Sequence, residues 1–193
     1  MKKLSTIKAI AALFIVAAIV TFTSCSNNNQ DEKIKSLQAE LDKYKAADAL
    51  TEKRLAMFDT LDYEYYSNQK WDMFKHNHAD NIKVIYPDGM VTTGLYPQHI
   101  DMLTPMFVFA PDTKIKEHPV KFGSGDWTAV IGVMEGTFSK PMPIGNGKTI
   151  PPTGKKFKLS MTTLGHWGPD GKMIEEYLFW DNQSFMKQIG LAQ

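Results

Sequence analysis

The stretch GKMIEEYLFWDNQSFMKQIG, residues 171–190, decides the fold predicted for this chain. It completes a Pro-Asp-Gly turn, in which glycine accepts a positive φ, and continues as an apolar and aromatic strand over residues 173–180. A short amphipathic helix then closes the chain, with an apolar face of Phe185, Met186, Ile189 and Leu191. Asp181 lies between strand and helix, so it is either a buried carboxylate of a pocket or the N-cap of the helix.

The elements that precede this stretch predict an α+β domain. We expect helices over about 49–68, near 71–79 and over 97–109, and strands over 82–86, 91–96, 114–122, 127–138 and 156–167. Helices followed by a long meander favour helices packed on one face of a bent antiparallel sheet.

The N-terminus has the pattern of a lipoprotein signal peptide over residues 1–24. Three lysines and no acid precede a run of twelve apolar residues, which is short of the roughly 20 needed to span a bilayer. The sequence then resembles the lipobox of bacterial lipoproteins and reaches Cys25, the only cysteine. We expect Cys25 to carry lipid and to anchor an exported protein to a bacterial membrane, most simply the outer membrane. The alternative is ordinary secretory cleavage that leaves a free thiol.

Residues 25–48 read as a tether followed by a spacer helix, and the globular domain as residues 49–193. Residues 26–33 are polar throughout, whereas apolar residues recur in the next segment at Ile34, Leu37, Leu41 and Tyr44. Two heptads do not establish a coiled coil. A solvated spacer and a helix that supports a homodimer both remain open.

Charge argues against nucleic acid as a partner. Without residues 1–24, the chain has 19 basic and 21 acidic residues, and Arg54 is its only arginine. Nucleic-acid binding requires a basic face, and planar recognition of phosphate favours arginine.

Short motifs in the second half resemble the SnoaL-like polyketide (ester) cyclase family of the nuclear transport factor 2-like superfamily. They keep the family order from about Leu55 to the C-terminus and comprise Ala110–Asp112, Gly125-Asp126, Glu135–Phe138, Pro152–Lys155, Asp170–Lys172, Glu175, Tyr177, Asp181 and Gln188–Gly190. The resemblance implies a cone-shaped, strongly bent sheet around N-terminal helices and an apolar pocket. It also implies an acid–base reaction on a small hydrophobic carbonyl compound, without metal or cofactor. By position, Asp181 would be the base, and His166 would hold the developing enolate.

Period-two alternation places Glu175, Tyr177, Phe179 and Asp181 on one face of the last strand. If that face lines the pocket, burial would raise the pKa of Asp181 and make it a better base, whereas capping would lower the pKa. Glu135, His118 and Trp127 are further pocket candidates.

The remaining histidines favour no metal site. His76 and His78, two apart on a predicted helix, would face different sides, and no cysteine or acid cluster completes a tetrahedral set. His99, at the start of the third helix, is predicted to be exposed. We therefore predict neither metal nor cofactor.

Two classes of function remain open. The first is an envelope lipoprotein whose domain binds a small hydrophobic molecule in its pocket. The second is a cofactor-independent acid–base enzyme of the cyclase or isomerase type. Export and anchoring favour binding, because aromatic polyketide cyclases act on cytosolic intermediates.

Overall fold

The computed structural model describes the backbone of residues 2–193 and the side chains of residues 28–193. The predicted lipid site at Cys25 lies outside the described side chains. The chain forms two compact units, residues 1–48 and residues 49–193. Within the described part, no helix is both long and apolar enough to cross a membrane.

The first helix, α1 (Lys2–Asp59), runs through the first unit and into the second. In the first unit, the four apolar residues of the predicted seam are exposed by 46–64%, namely Ile34, Leu37, Leu41 and Tyr44. The seam is therefore open to solvent in the single chain.

The second unit begins with the end of α1, which packs against the sheet. Leu55 and Phe58 are buried there, and Leu61 continues the apolar stripe into a π-helical turn (Thr60–Tyr66). Close approach requires a glycine on the sheet, since a Cβ at Gly165 would lie 3.0 Å from the Phe58 ring. A 3-10 helix (Trp71–His76) follows.

Eight strands and two further helices complete the unit. The strands are β1 (His78–Ile85), β2 (Val91–Thr93), β3 (Lys114–Ser124), β4 (Trp127–Thr137), β5 (Met142–Pro143), β6 (Thr149–Ile150), β7 (Lys156–Trp167) and β8 (Met173–Trp180). A π-helical segment (Leu95–His99) leads into α2 (Ile100–Phe109), and α3 (Asn182–Gln188) lies at the C-terminus.

Six strands form one curved sheet in the order β2-β1-β8-β7-β4-β3, and β5 pairs with β6 alone. Neighbours in the large sheet are antiparallel except β1 and β8, which are parallel. Register shifts interrupt the β1–β8, β3–β4 and β7–β8 pairs, and such bulges bend a sheet. The expected α+β fold with a bent, antiparallel-rich sheet on N-terminal helices is confirmed.

The helix predicted near 71–79 ends earlier than expected. His78 and Ala79 belong to β1, whose start pairs His78 with Met173. The backbone N–H of Met173 donates to Asn77 O at 2.7 Å, so pairing with a distant strand overrides the local helical pattern.

Candidate functional site

A cavity of about 370 Å³ lies inside the second unit, between the sheet and the helices. Its wall is mainly apolar and rich in methionine, with Met90, Met102, Met106, Met134, Met142, Met161 and Met186. Methionine side chains adapt to ligands of different shape, so this wall suits a flexible or variable apolar guest.

The cavity opens where its lining residues are exposed. Asp88 and Met90 in the β1–β2 turn, Met102 and Pro105 on α2, and Asn182 at the start of α3 are all exposed lining residues. These three segments therefore surround the mouth.

The deep part of the cavity contains ionisable side chains. His78 and His99 are 0% and 2% exposed, and Glu176 is 4% exposed. Asp62 also lines the cavity, with 16% of its side chain exposed. Buried charged groups are costly without partners, so each of these groups needs an explanation.

Asp62 is held by a histidine between two carboxylates. His118 Nε2 lies 2.8 Å from Asp62 Oδ2, and its Nδ1 lies 2.8 Å from Asp59 Oδ1. Because carboxylates accept and do not donate, the arrangement favours a doubly protonated imidazolium. Burial would lower the pKa of His118, but the hydrogen bonds and charges of the two aspartates outweigh it and raise the pKa.

Burial raises the pKa of Asp62 in spite of its bond to His118. Gly132 on β4 lies next to this pair, and a Cβ there would be in ordinary contact with Asp62 Oδ2 and the His118 ring, 3.6 Å from each. Lys121 ion-pairs with the outer carboxylate of Asp59, which completes the chain of charges toward the surface.

Glu176 faces two histidines. Its Oε2 lies 3.8 Å from His78 Nε2 and 3.5 Å from His99 Nε2. The other ring nitrogens are engaged: His78 Nδ1 lies 3.2 Å from Phe74 O, and His99 Nδ1 lies 3.0 Å from Tyr86 Oη.

The pKa values of His99 and Glu176 favour a neutral His99 imidazole beside a Glu176 carboxylate. Burial lowers the pKa of His99 to about 4. Burial would raise the pKa of Glu176, but the adjacent histidines outweigh it and hold the pKa below its ordinary value. One atom from each of His78, His99 and Glu176 lies within 4.8 Å of the others, so these residues have the geometry to hold a metal ion.

Asp181 caps α3 and lies outside the cavity wall. Its side chain accepts the backbone N–H of Ser184 at 3.0 Å, and the residue is exposed. Of the two readings that the sequence left open, the structure places Asp181 in the cap.

His166 lies on the outer face of the sheet. Its ring stacks on Trp127 with centroids 4.4 Å apart, and its Nδ1 is 3.9 Å from Glu175 Oε2. Lys83 and Tyr177 donate to Glu175 Oε1 on the same face, at 2.9 and 3.3 Å. The structure thus brings His166 together with three of the predicted pocket residues, but away from the cavity wall.

The other predicted pocket residues are also not part of the wall. Phe179 is 48% exposed, and Glu135 pairs with Lys116 and Lys158 on the surface. His118 lies behind Asp62 and reaches the cavity only through it.

The cavity lies on the other face of the last strand from the one considered for the pocket. His166 pairs with Glu175, and Trp167 pairs with Met173, so β8 carries one extra residue, Ile174. Alternation breaks there and resumes over residues 175–180, where Glu176, Leu178 and Trp180 line the cavity and Glu175, Tyr177 and Phe179 do not.

The acids and histidines of the cavity were missed for separate reasons. His99 was expected to be exposed, which is wrong, and the strand that carries His78 was read as helix. Asp62 left a usable signal: it is an acid inside the apolar helical stripe of Phe58, Leu61 and Tyr65.

Similar solved structures share this fold. A proposed SnoaL-like polyketide cyclase from Jannaschia sp. CCS1 is 18% identical with a TM-score of 0.63, over 75% of this chain and 96% of that one. IdmH, a proposed polyketide cyclase from Streptomyces antibioticus, is 20% identical with a TM-score of 0.59, over 71% and 98%. A proposed polyketide cyclase from Xanthomonas campestris pv. campestris is 14% identical with a TM-score of 0.61, over 73% and 99%.

No curated protein sequence matches the chain. A family model does: that of the SnoaL-like polyketide cyclases matches residues 57–189, which include the sheet, α2, α3 and every ionisable group of the cavity. The chain therefore belongs to the SnoaL-like polyketide cyclase family and has its nuclear transport factor 2-like fold.

Proposed function

We propose that this protein binds a small hydrophobic molecule in the cavity of its SnoaL-like domain, and that lipid on Cys25 tethers it to the bacterial envelope. The observation that carries the binding proposal is the cavity itself. Its volume of about 370 Å³ is within the range of small-molecule sites, and its wall is mainly apolar with a few polar groups at depth.

The polar groups suggest which molecule fits. An apolar body would contact the methionine and aromatic wall, and an oxygen-bearing group would reach the buried histidines and acids. A purely hydrocarbon ligand would leave Glu176 Oε2 and His78 Nε2, which are buried and have no hydrogen-bond partner, unsatisfied, and this is costly. We therefore expect a ligand with one polar end, such as a carbonyl compound.

Filling the cavity should abolish binding. In Met106→Trp, a larger side chain enters the cavity from α2, and we expect the affinity for an uncharged apolar fluorescent probe, N-phenyl-1-naphthylamine, to fall at least about tenfold. Native mass spectrometry of wild-type protein should show a co-purifying small molecule that the variant lacks. The matched control is Val108→Trp, on the same helix but 52% exposed and outside the wall. Equal binding by the two variants would contradict the proposal.

Acid–base catalysis is the second candidate, and Asp62 favours it. It is the cavity carboxylate whose pKa is raised by burial, and His118 engages only one of its oxygens. A carboxylate with a raised pKa in an apolar pocket is suited to abstract a proton next to a carbonyl group. The base would then be Asp62 and not Asp181.

Kemp elimination of 5-nitrobenzisoxazole reports a buried carboxylate base without knowledge of the natural substrate. We expect wild-type protein to accelerate it over buffer and Asp62→Asn to lose about 100-fold or more of that rate. Asp181→Asn, which keeps an N-cap side chain, is the control and should retain the rate. A rate that depends on Asp181, or no acceleration at all, would argue against catalysis by Asp62.

A further inference from the structure

We propose that His78, His99 and Glu176 bind a divalent first-row transition metal ion such as Zn²⁺ or Fe²⁺, whose remaining coordination positions face the cavity. Among residues 28–193, these three form the one group of three or more histidine, cysteine or acidic side chains with ligand atoms close enough to share an ion.

The protonation of the His78 ring leaves a space between His78 and Glu176 that a cation fits. Because Phe74 O can only accept, His78 Nδ1 must carry a proton. A neutral ring has only that one proton, so Nε2 then carries a lone pair. That lone pair faces Glu176 Oε2, and neither atom has a hydrogen-bond partner in the described structure. Two buried electron-pair donors that face each other repel unless a positive charge lies between them.

Distances favour a metal ion over a shared proton. A charge-assisted hydrogen bond would draw nitrogen and oxygen to about 2.8 Å. The observed separations from Glu176 Oε2 are 3.8 Å to His78 and 3.5 Å to His99. Two ligands about 2.1 Å from a tetrahedral ion lie about 3.4 Å apart, which is close to both of these separations, and all three ligand atoms lie within 4.8 Å of one another.

The surroundings of His78 and His99 resemble those of histidines that bind metal ions. Metal-bound histidines usually engage their second nitrogen with a carbonyl, carboxylate or other polar group, which fixes the ring orientation. Phe74 O does this for His78, and Tyr86 Oη does it for His99. Stacking on Phe74, with ring planes 15° apart, holds His78 further in place.

The ligand set indicates the class of ion. Two imidazoles, which are borderline ligands, together with one carboxylate suit zinc, iron, manganese and cobalt, whereas calcium and magnesium prefer sites made of oxygen ligands alone. Three protein ligands leave open positions, and all three residues line the cavity. An ion here would polarise an oxygen of a bound ligand.

This differs from the sequence-based expectation of no metal. The donors come from β1, the end of the segment before α2, and β8, and only the fold brings them together. The test of metal binding uses ions alone, so its outcome is separate from that of the proposed ligand binding.

Cobalt titration tests the site in the full-length chain, produced without a polyhistidine tag and treated with a chelator. We expect visible absorption bands of bound Co²⁺ that saturate at one ion per chain and are displaced by Zn²⁺. In Glu176→Gln the affinity should fall more than about 100-fold, because even loss of an outer partner of a ligand costs about 10–100-fold. Tyr86→Phe, a positioning variant, should weaken binding by about tenfold or more while the fold is retained.

The control is Glu175→Gln, the neighbouring acid on the opposite face of the same strand, which should bind Co²⁺ like wild type. His166→Gln, the histidine of the outer face, should do the same. No saturable binding by wild-type protein, or equal affinities in Glu175→Gln and Glu176→Gln, would overturn the proposal.

Discussion

At the scale of single residues, position relative to the cavity decides whether an acid can contact a ligand or serves only the fold. Asp181 and Asp62 are both acids that accompany apolar segments, yet one caps a helix and the other lines the cavity. Likewise Glu175 and Glu176 are adjacent, but one pairs with Lys83 on the surface and the other is buried among histidines. Residue type explains neither difference, because each pair consists of two residues of the same type.

The Asp59–His118–Asp62 chain should give the protein a pH-dependent stability. The pKa of His118 is raised in the folded state, so its contribution is complete below the unfolded value of about 6.5 and is lost as the pH rises through the folded value. We therefore expect the free energy of unfolding of wild type, relative to His118→Gln, to decline as the pH rises above about 6.5.

Urea unfolding of both proteins across that range measures the difference, with His166→Gln as a control that keeps the wild-type profile. Parallel profiles for wild type and His118→Gln would show that the histidine is not held as an imidazolium.

At the scale of elements, a few buried contacts dock α1 on the sheet and so set one wall of the cavity. Arg54, the only arginine, donates from Nη1 to Gly125 O at 2.7 Å and from Nη2 to Asp126 Oδ1 at 3.1 Å, in the turn between β3 and β4. Its guanidinium lies 5.8 Å from the centre of the buried Trp167 ring. Arginine serves here in folding and not in phosphate recognition.

Removal of the Arg54 contacts should weaken the packing of α1 on the sheet. We expect Arg54→Ala to destabilise the protein by about 2–3 kcal/mol, because charged hydrogen bonds and buried packing are lost together. Chemical denaturation measures the effect, and Lys53→Ala, an exposed neighbour on α1, should change stability by less than about 0.5 kcal/mol. A similar loss in both variants would contradict the docking role.

At the scale of the whole molecule, the proposed function combines a ligand-binding cavity with a lipid anchor in the membrane. The chain forms two compact units, and the ionisable groups of the cavity all belong to the second. A tethered binding domain would sample its ligand near the membrane, where apolar molecules concentrate.

Replacement of the proposed lipid site tests the tether. We expect Cys25→Ala to move the protein from the membrane to the soluble fraction, since each buried methylene of an acyl chain contributes about 0.8 kcal/mol. Mass spectrometry of the wild-type membrane fraction should find acyl groups on Cys25. An unmodified thiol there, or a variant that stays in the membrane, would exclude the lipid anchor. Fluorescent-probe binding should be equal in both proteins.

Much of the fold could be read from local pattern. Alternating strands, the Pro-Asp-Gly turns and the closing helix predicted β3, β4, β7, β8 and α3 to within a few residues, because these signals depend on neighbours along the chain. The apolar stripe of α1 was equally visible. The start of β1 was not, since its pairing with β8 in parallel joins residues far apart in sequence.

The chemistry of the site was decided by tertiary structure. Residue types alone indicated that acids and histidines accompany an apolar pocket, and family motifs indicated the fold. Which acids face the cavity depended on which face of β8 packs toward the helices, and that face carries Glu176 and not Glu175. Which histidines join Glu176 depended on β1 and the segment before α2 meeting beside β8. Side-chain direction in a bulged sheet is set by long-range pairing, and a local pattern carries no information on it.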